Sequence, residues 1–227
     1  MKVQHIAAAA LALSLGAAQA APFATTYQGQ IAASTIPGIH NGQRYTLTLM
    51  MDHGNPVADS ADWEPHMLTC AIWRMNDAGN VVVAQDLLAA PPTTVQGGAT
   101  AVGGNGALTH MFDAIESTNT LAAAVRALGL PPGWVVDDWY ANGNTSEVFS
   151  ATDPQANTQA FEDAAGSVRM TPAYWSNPVP FTGNCLDAAS APGAGVASVP
   201  TLGHAALALL GALVGGLGLR SQRRKDS

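Results

Sequence analysis

Lysine is missing from everything between Lys2 and Lys225. From residue 21 to residue 198 the basic side chains are Arg44, Arg74, Arg126 and Arg169, set against fifteen carboxylates for a formal charge of −11. A surface with that balance repels nucleic acid and anionic lipid, so neither is an expected partner. Cysteine is almost as scarce, with Cys70 and Cys185 alone. They form no Cys-x-x-Cys, which leaves no zinc knuckle and no thioredoxin-like site. The Gly-rich stretch 97–106 has no Gly-Lys-Ser/Thr after it and no Rossmann glycine spacing. Ala165-Gly166-Ser167-Val168-Arg169 lacks the second glycine of a nucleophile elbow. There is no His-Glu-x-x-His, no calcium loop and no repeat of solenoid or propeller period. No cofactor is therefore expected.

The long apolar runs lie at the two ends. Met1-Lys2-Val3-Gln4-His5 precedes an apolar run from Ile6 to Leu15, and Ala18-Gln19-Ala20 follows. A basic start, a short apolar run and small residues two apart make residues 1–20 a signal peptide, cut after Ala20. The run is shorter than the roughly 20 residues that cross a bilayer, and a buried N-terminal helix would not need the charge or the cleavage site. At the other end, Val199-Pro200-Thr201-Leu202 leads into a small and apolar stretch, closed by Arg220, Arg223, Arg224 and Lys225. Ala205 to Leu219 would span about 22 Å as a helix, so residues back to about Val199 are needed to cross a hydrocarbon core of about 30 Å. The basic tail acts as a stop-transfer signal and stays cytoplasmic, which puts the preceding domain outside the inner membrane.

Those C-terminal residues resemble a PEP-CTERM-type sorting signal, in the variant whose motif begins Ile-Pro-Thr-Leu. Val199 stands where Ile is usual, and Gly203-His204 replaces a polar-Trp-Gly stretch. The resemblance covers about the last 30 residues. It implies an exosortase, a membrane transpeptidase-like protease of Gram-negative bacteria, as processing partner. It also implies association with exopolysaccharide, because such proteins accompany polysaccharide-producing systems. A plain anchor that is never cut is the alternative, since hydropathy does not separate the two. Tyr27-Gln28-Gly29-Gln30-Ile31 and Leu49-Met50-Met51-Asp52 also resemble the opening strands of exported domains that carry such tails.

Between the ends, residues 21–185 form the expected domain, large enough for a real core. A linker of Ala, Ser, Gly and Pro covers 186–198, and 199–227 is the sorting and transmembrane segment. Phe23, Thr25, Tyr27, Gly29 and Ile31 alternate as one strand face, and Tyr45, Leu47, Leu49 and Met51 as another. Met67 to Met75 and Val81 to Leu87 flank the turn residues Asn76 to Asn80, which predicts a hairpin. Pro91-Pro92 and the stretch 97–106 read as loop. Leu108 to Ile115, Trp134 to Tyr140, Glu147 to Ser150 and Ser167 to Thr171 read as short strands. Leu121, Val125 and Leu128 are spaced as a helix face, capped by Thr118 or Asn119 and stopped by Gly129 and Pro131-Pro132. Short strands with Gly/Pro/Asn turns predict an all-β sandwich or jelly roll with one short helix. Export places Cys70 and Cys185 in an oxidising compartment, where a disulfide between them is expected.

Two clusters are candidates for chemistry. Asp52, His53, Asp59, Asp62, Glu64 and His66 combine imidazole and carboxylate, and His53, Glu64 and His66 would be the metal ligands. Asp137-Asp138 precedes Trp139 and Tyr140, the association of acids with rings that suits carbohydrate. In a regular strand the two acids point to opposite faces and do not form an acid/base pair. The reading that emerges is a non-enzymatic exported protein of the cell surface or extracellular matrix, structural or adhesive. The alternative is a secreted metal-dependent hydrolase built on the loop from Asp52 to His66. The exported protein is expected to begin at Ala21. N-terminal peptide mass measurement on an envelope fraction checks this, and an intact chain from Met1 in the cytoplasm would remove the case for export.

Overall fold

The computed structural model describes residues 22–54, 61–75, 81–102 and 106–188. The signal-peptide and transmembrane expectations, the turn 76–80 and most of the linker lie outside them. Among the described residues no helix is long and apolar enough to cross a membrane. The strands are β1 (Phe23–Ser34), β2 (Arg44–Met51), β3 (Ala61–Trp63), β4 (Leu68–Arg74), β5 (Val82–Asp86), β6 (Thr94–Gln96), β7 (Ala99–Val102), β8 (Ala107–His110), β9 (Ala114–Ser117), β10 (Val125–Leu128), β11 (Val135–Asn142), β12 (Glu147–Thr152), β13 (Thr158–Asp163) and β14 (Val179–Pro180). One helical turn, α1 (Cys185–Ala188), follows.

Among the described residues every strand pairing is antiparallel. The order β10-β5-β4-β2-β1 makes one sheet and β1-β13-β12-β11-β9-β6 a second, so β1 belongs to both. Its first part pairs with β2 from Phe23↔Met51 to Gln30↔Arg44. Its last part pairs with β13 from Ile31↔Asp163, across an irregularity between Ile31 and Ala33. A bulge of this kind bends a strand, and here it carries β1 from one sheet to the other. A small third sheet, β3-β7-β8, completes the fold. The all-β layered architecture is the expected one.

Inner side chains of the two sheets meet in one core. The Tyr45 ring stacks on Trp73 at 5.7 Å between centroids and meets Phe161 edge-on at 5.1 Å. Trp73 also lies 5.9 Å from Trp139 and 5.8 Å from Phe149. Such aromatic contacts join the layers and add about 0.5–1.5 kcal/mol each beyond area burial. Gln85 is a polar side chain within this core. It accepts from the Trp139 indole at 2.7 Å and donates to Ser117 at 3.0 Å and to the Ala90 carbonyl at 3.2 Å. A buried amide satisfied on both ends fixes how β5 sits against β9 and β11.

Where β1 changes sheet, a carboxylate is buried. Asp163, 3 % exposed, accepts the Tyr45 hydroxyl at 2.6 Å, the Tyr27 hydroxyl at 3.4 Å and the Ala165 amide at 2.6 Å. Gly29 leaves the space. A Cβ there would lie 2.3 Å from the Tyr45 ring and 2.5 Å from the Asp163 carboxylate, so any side chain displaces the cluster.

The outer face of the first sheet has its own apolar cluster of Ala24, Met50, Cys70, Ile72, Val82 and Ala84, covered by Phe181, Cys185 and Leu186. The expected disulfide joins Cys70 to Cys185, with Cα atoms 5.7 Å apart and a sequence separation of 115. A loop of that length is stabilised by about 4–5 kcal/mol on the chain-entropy model.

Several sequence expectations change. The stretch Leu121–Leu128 is not a helix: Ala122–Ala124 form a single 3₁₀ turn and Val125–Leu128 pair with β5. An isolated helix of that length is marginal, and cross-strand pairing outcompetes it. Leu121 and Leu128 are exposed, so the expected helix face is not a buried face. Among the described residues the α-helix is the single turn α1 instead. Ser167–Thr171 is irregular, because Gly166 turns the chain at φ 84° directly after β13. Part of the Gly-rich stretch is strand β7, held between β3 and β8. Leu108–Ile115 splits into β8 and β9 around Met111–Asp113.

Burial, then the Asp163 charge, pushes the Tyr27 hydroxyl up to about 12 from its ordinary 10, and the same two causes raise Tyr45 further. Above pH 10 the unfolded chain loses protons that the native state keeps. The stability these groups contribute is thus intact below pH 10 and lost as pH rises through about 12 for Tyr27. Each tyrosine is expected to lower stability by about 1.4 kcal/mol per pH unit in that window. Urea unfolding at alkaline pH checks this, and Tyr27→Phe should remove one proton's worth of the slope.

Candidate functional site

The loop between β2 and β4 divides its candidate ligands between two environments. Asp52 caps the turn by accepting the Gly54 amide at 2.8 Å. The next residue, His53, turns inward, with its ring 5.7 Å from Phe23 and 5.3 Å from Trp63. Both imidazole nitrogens and the Trp63 indole nitrogen are buried without a hydrogen-bond partner among the described residues. Glu64 and His66 face outward on either side of Pro65. They approach each other to 3.4 Å with side chains 69 % and 71 % exposed. Asp62 is exposed on β3, and Asp59 lies outside the described residues. Among the described residues no group of three His, Cys, Asp or Glu is placed to hold a metal ion. His53 is thus parted from Glu64 and His66 because its ring is drawn into the aromatic cluster under β1.

The Asp137-Asp138 pair is arranged differently from the expectation. Register shifts between Val136 and Trp139, which pair with Ala151 and Phe149. Two residues therefore stand on β11 where regular pairing has one, and both are half-exposed between buried Val136 and Trp139. The bulge turns both acids away from the core instead of onto opposite faces. They have separate partners. Asp137 accepts from Thr152 at 3.4 Å, while Asp138 accepts the Asn119 amide at 2.8 Å and the Tyr140 hydroxyl at 3.4 Å.

Around Asp138 the outer face of the second sheet gathers acids that sequence reading left scattered. Tyr140 stands opposite Glu116, and Glu147 stands opposite Glu162. Asn142 donates to Glu116 at 2.8 Å. Partial burial, then the charges of Asp138 and Glu162, raises the Glu147 carboxyl above its usual range. Burial and the Asp138 charge raise Tyr140 likewise. Like charges directly opposite on a sheet repel, so this face favours a counter-charge or a hydroxyl-rich ligand over another acid. The sequence carries only part of the signal, since Glu116 follows the apolar Ile115 and Glu162 follows Phe161.

The sorting segment lies outside the described residues and is identified by comparison. Residues 197–224 match the IPTL-CTERM motif, a PEP-CTERM-like signal processed by an exosortase-type enzyme. The match holds Val199, Pro200, Thr201 and Leu202, the apolar run, and Arg220, Arg223 and Arg224 of the basic tail. Such a signal implies export and processing at a membrane. No curated protein and no solved structure matches the chain.

The two histidines should respond differently to substitution. His66→Ala is expected to change stability by less than about 0.5 kcal/mol, as for an exposed surface position. His53→Ala should cost about 1–2 kcal/mol, because it empties space between two aromatic rings. Denaturant unfolding of both variants checks this, and equal effects would place His53 on the surface.

Proposed function

We propose that this is an exported cell-surface or extracellular-matrix protein of structural or adhesive type, associated with exopolysaccharide and without catalytic activity. The observation that carries the reading is the sorting motif at residues 197–224. The signal-peptide pattern at residues 1–20 and a disulfide suited to an oxidising compartment agree with it. In this reading the protein is held in the inner membrane until an exosortase-type enzyme acts, then reaches the surface or the medium. The contact with polysaccharide falls on the outer face of the second sheet, where the Tyr140 ring is flanked by Asp138, Glu116 and Glu147. Rings stack on sugar faces and carboxylates take hydroxyls, and the lysine-free exterior disfavours nucleic acid. The metal-dependent hydrolase alternative is weakened by the inward turn of His53 away from Glu64 and His66.

Fractionation of cells with intact-mass measurement tests the reading. The expected species lacks residues 1–20, ends near Val199, and lies at the surface or in the medium with polysaccharide. Tyr140→Ala should lower its retention on isolated exopolysaccharide several-fold and leave the circular dichroism unchanged. A chain ending at Ser227 that stays in the inner membrane would remove processing from the account. Purified protein carrying stoichiometric zinc that His53→Ala/His66→Ala strips would favour the hydrolase instead.

A further inference from the structure

The last described segment is fastened in an unusual way for its size. From Trp175 the chain runs back along the free edge of β1, with an isolated bridge Tyr27↔Trp175 and the pairs Phe23↔Pro180 and Ala24↔Val179. The Ser176 amide donates to the Thr26 carbonyl at 2.9 Å, and Thr25 donates to the Ser176 carbonyl at 2.6 Å. After the Phe181 amide meets the Pro22 carbonyl at 2.6 Å, the chain crosses onto the outer face of the first sheet. There α1 packs on β4 and β5. This strap is weak in regular structure, with a two-residue strand and a four-residue helix. Hydrogen bonds at the end of a chain pulled from that end open one at a time, because each carries the whole force in turn.

We propose that the Cys70–Cys185 disulfide makes this strap a mechanical clasp, which passes tension from the C-terminal tether into β4 and keeps the domain folded under pull. The proposal rests on the reading that the chain is exported and is held in the inner membrane by its C-terminal segment until it is processed. Any pull on it then enters past Ala188, from the side of the motif at 197–224. Cys185 is the first residue of α1, so force reaching the helical turn is taken at its base before β14 is loaded. It is delivered to Cys70, which pairs with Met50 of β2 on one side and Asp86 of β5 on the other. An interior strand moves only when ladders on both sides slide together, so many hydrogen bonds share the force. Sequence separation fits the same role. The bond closes nearly the whole domain from β4 onward into one covalent loop that tension does not lengthen. Cys70 is fully buried and Cys185 is 9 % exposed, which keeps reductants out and makes the clasp permanent instead of redox-switched.

The test is to stretch the purified exported protein between its two ends in an optical trap, first oxidised, then as Cys70→Ala/Cys185→Ala. Oxidised protein should show no early event. Its full unfolding should fall short by the closed loop of 115 residues, roughly 400 Å of chain at full extension. The double variant should show an early low-force event releasing about ten residues, roughly 35 Å, ahead of the main rupture. Hydrogen exchange at zero force should agree, with the Phe181 amide exchanging at least tenfold faster in the variant and the Leu47 amide unchanged. If strap and core rupture together at one force with and without the bond, the clasp is overturned. A variant that does not fold overturns it too, unless the apolar pair Cys70→Val/Cys185→Ala folds and shows the early release. Free thiols in protein taken from cells would instead count against the export reading, and leave the trap result on oxidised protein standing.

Discussion

The fold depends on one strand serving two sheets, and that in turn depends on a buried carboxylate. β1 leaves β2's sheet and enters β13's sheet within a few residues, and Asp163 sits at the crossing with Tyr45 and Tyr27 on its oxygens. Removing a carboxylate from water costs several kcal/mol unless hydrogen bonds replace the lost solvation. Here they come from β1, from β2 and from the turn after β13, so the ion is satisfied only when all three are in place. Gly29 is part of the same constraint, since the Tyr45 ring occupies the volume of its missing side chain. Away from this point the two sheets are held by the packing of the Trp73, Trp139, Phe149 and Phe161 rings and by the hydrogen bonds of the Gln85 amide.

Much of this was legible in the sequence where periodicity was strong. The alternation from Phe23 to Ile31 and from Tyr45 to Met51 marks β1 and β2 because each buries one face. The hairpin of β4 and β5 follows from a run holding Cys70, Ile72 and Trp73 and a β-branched run on the other side of turn residues, and its closing pair is Arg74↔Val82. Legibility failed where local propensity and tertiary pairing disagreed. The alanines before Val125 suit a helix, yet β5 offered a free edge and the chain took it as β10. The strand β13 was passed over because Thr158 to Asp163 carries polar residues on its outer face and one large apolar residue, Phe161, on its inner face. The buried Asp163 had no sequence signal, since a carboxylate in a strand looks the same whether it faces solvent or a tyrosine pair.

For the candidate sites the division is sharper. The sorting motif is read from adjacent residues and needs no fold. The acidic outer face is the reverse: Glu116, Asp138, Glu147 and Glu162 come from four strands and meet only through register. The bulge at Asp137-Asp138 carried the opposite lesson. Period-two reasoning put those acids on opposite faces, and one extra residue in the ladder put both outside. His53 shows that neighbours in sequence need not share a site, as its ring joined Phe23 and Trp63 while Glu64 and His66 stayed in water.

The adjacency of Pro22 and Phe181 sets an orientation for the molecule. Pro22, which leads into β1, and Phe181, which leads out of β14, meet at one rim of the first sheet, while the opposite rim carries the turn around Gly42 and the closing end of the β4–β5 hairpin. The first sheet thus has a base, where β1 begins and β14 ends, and a tip. The tip carries Arg44, opposite Gln30, and Arg74, opposite Thr46, so two of the four arginines of residues 21–198 stand at the end of the first sheet away from that base.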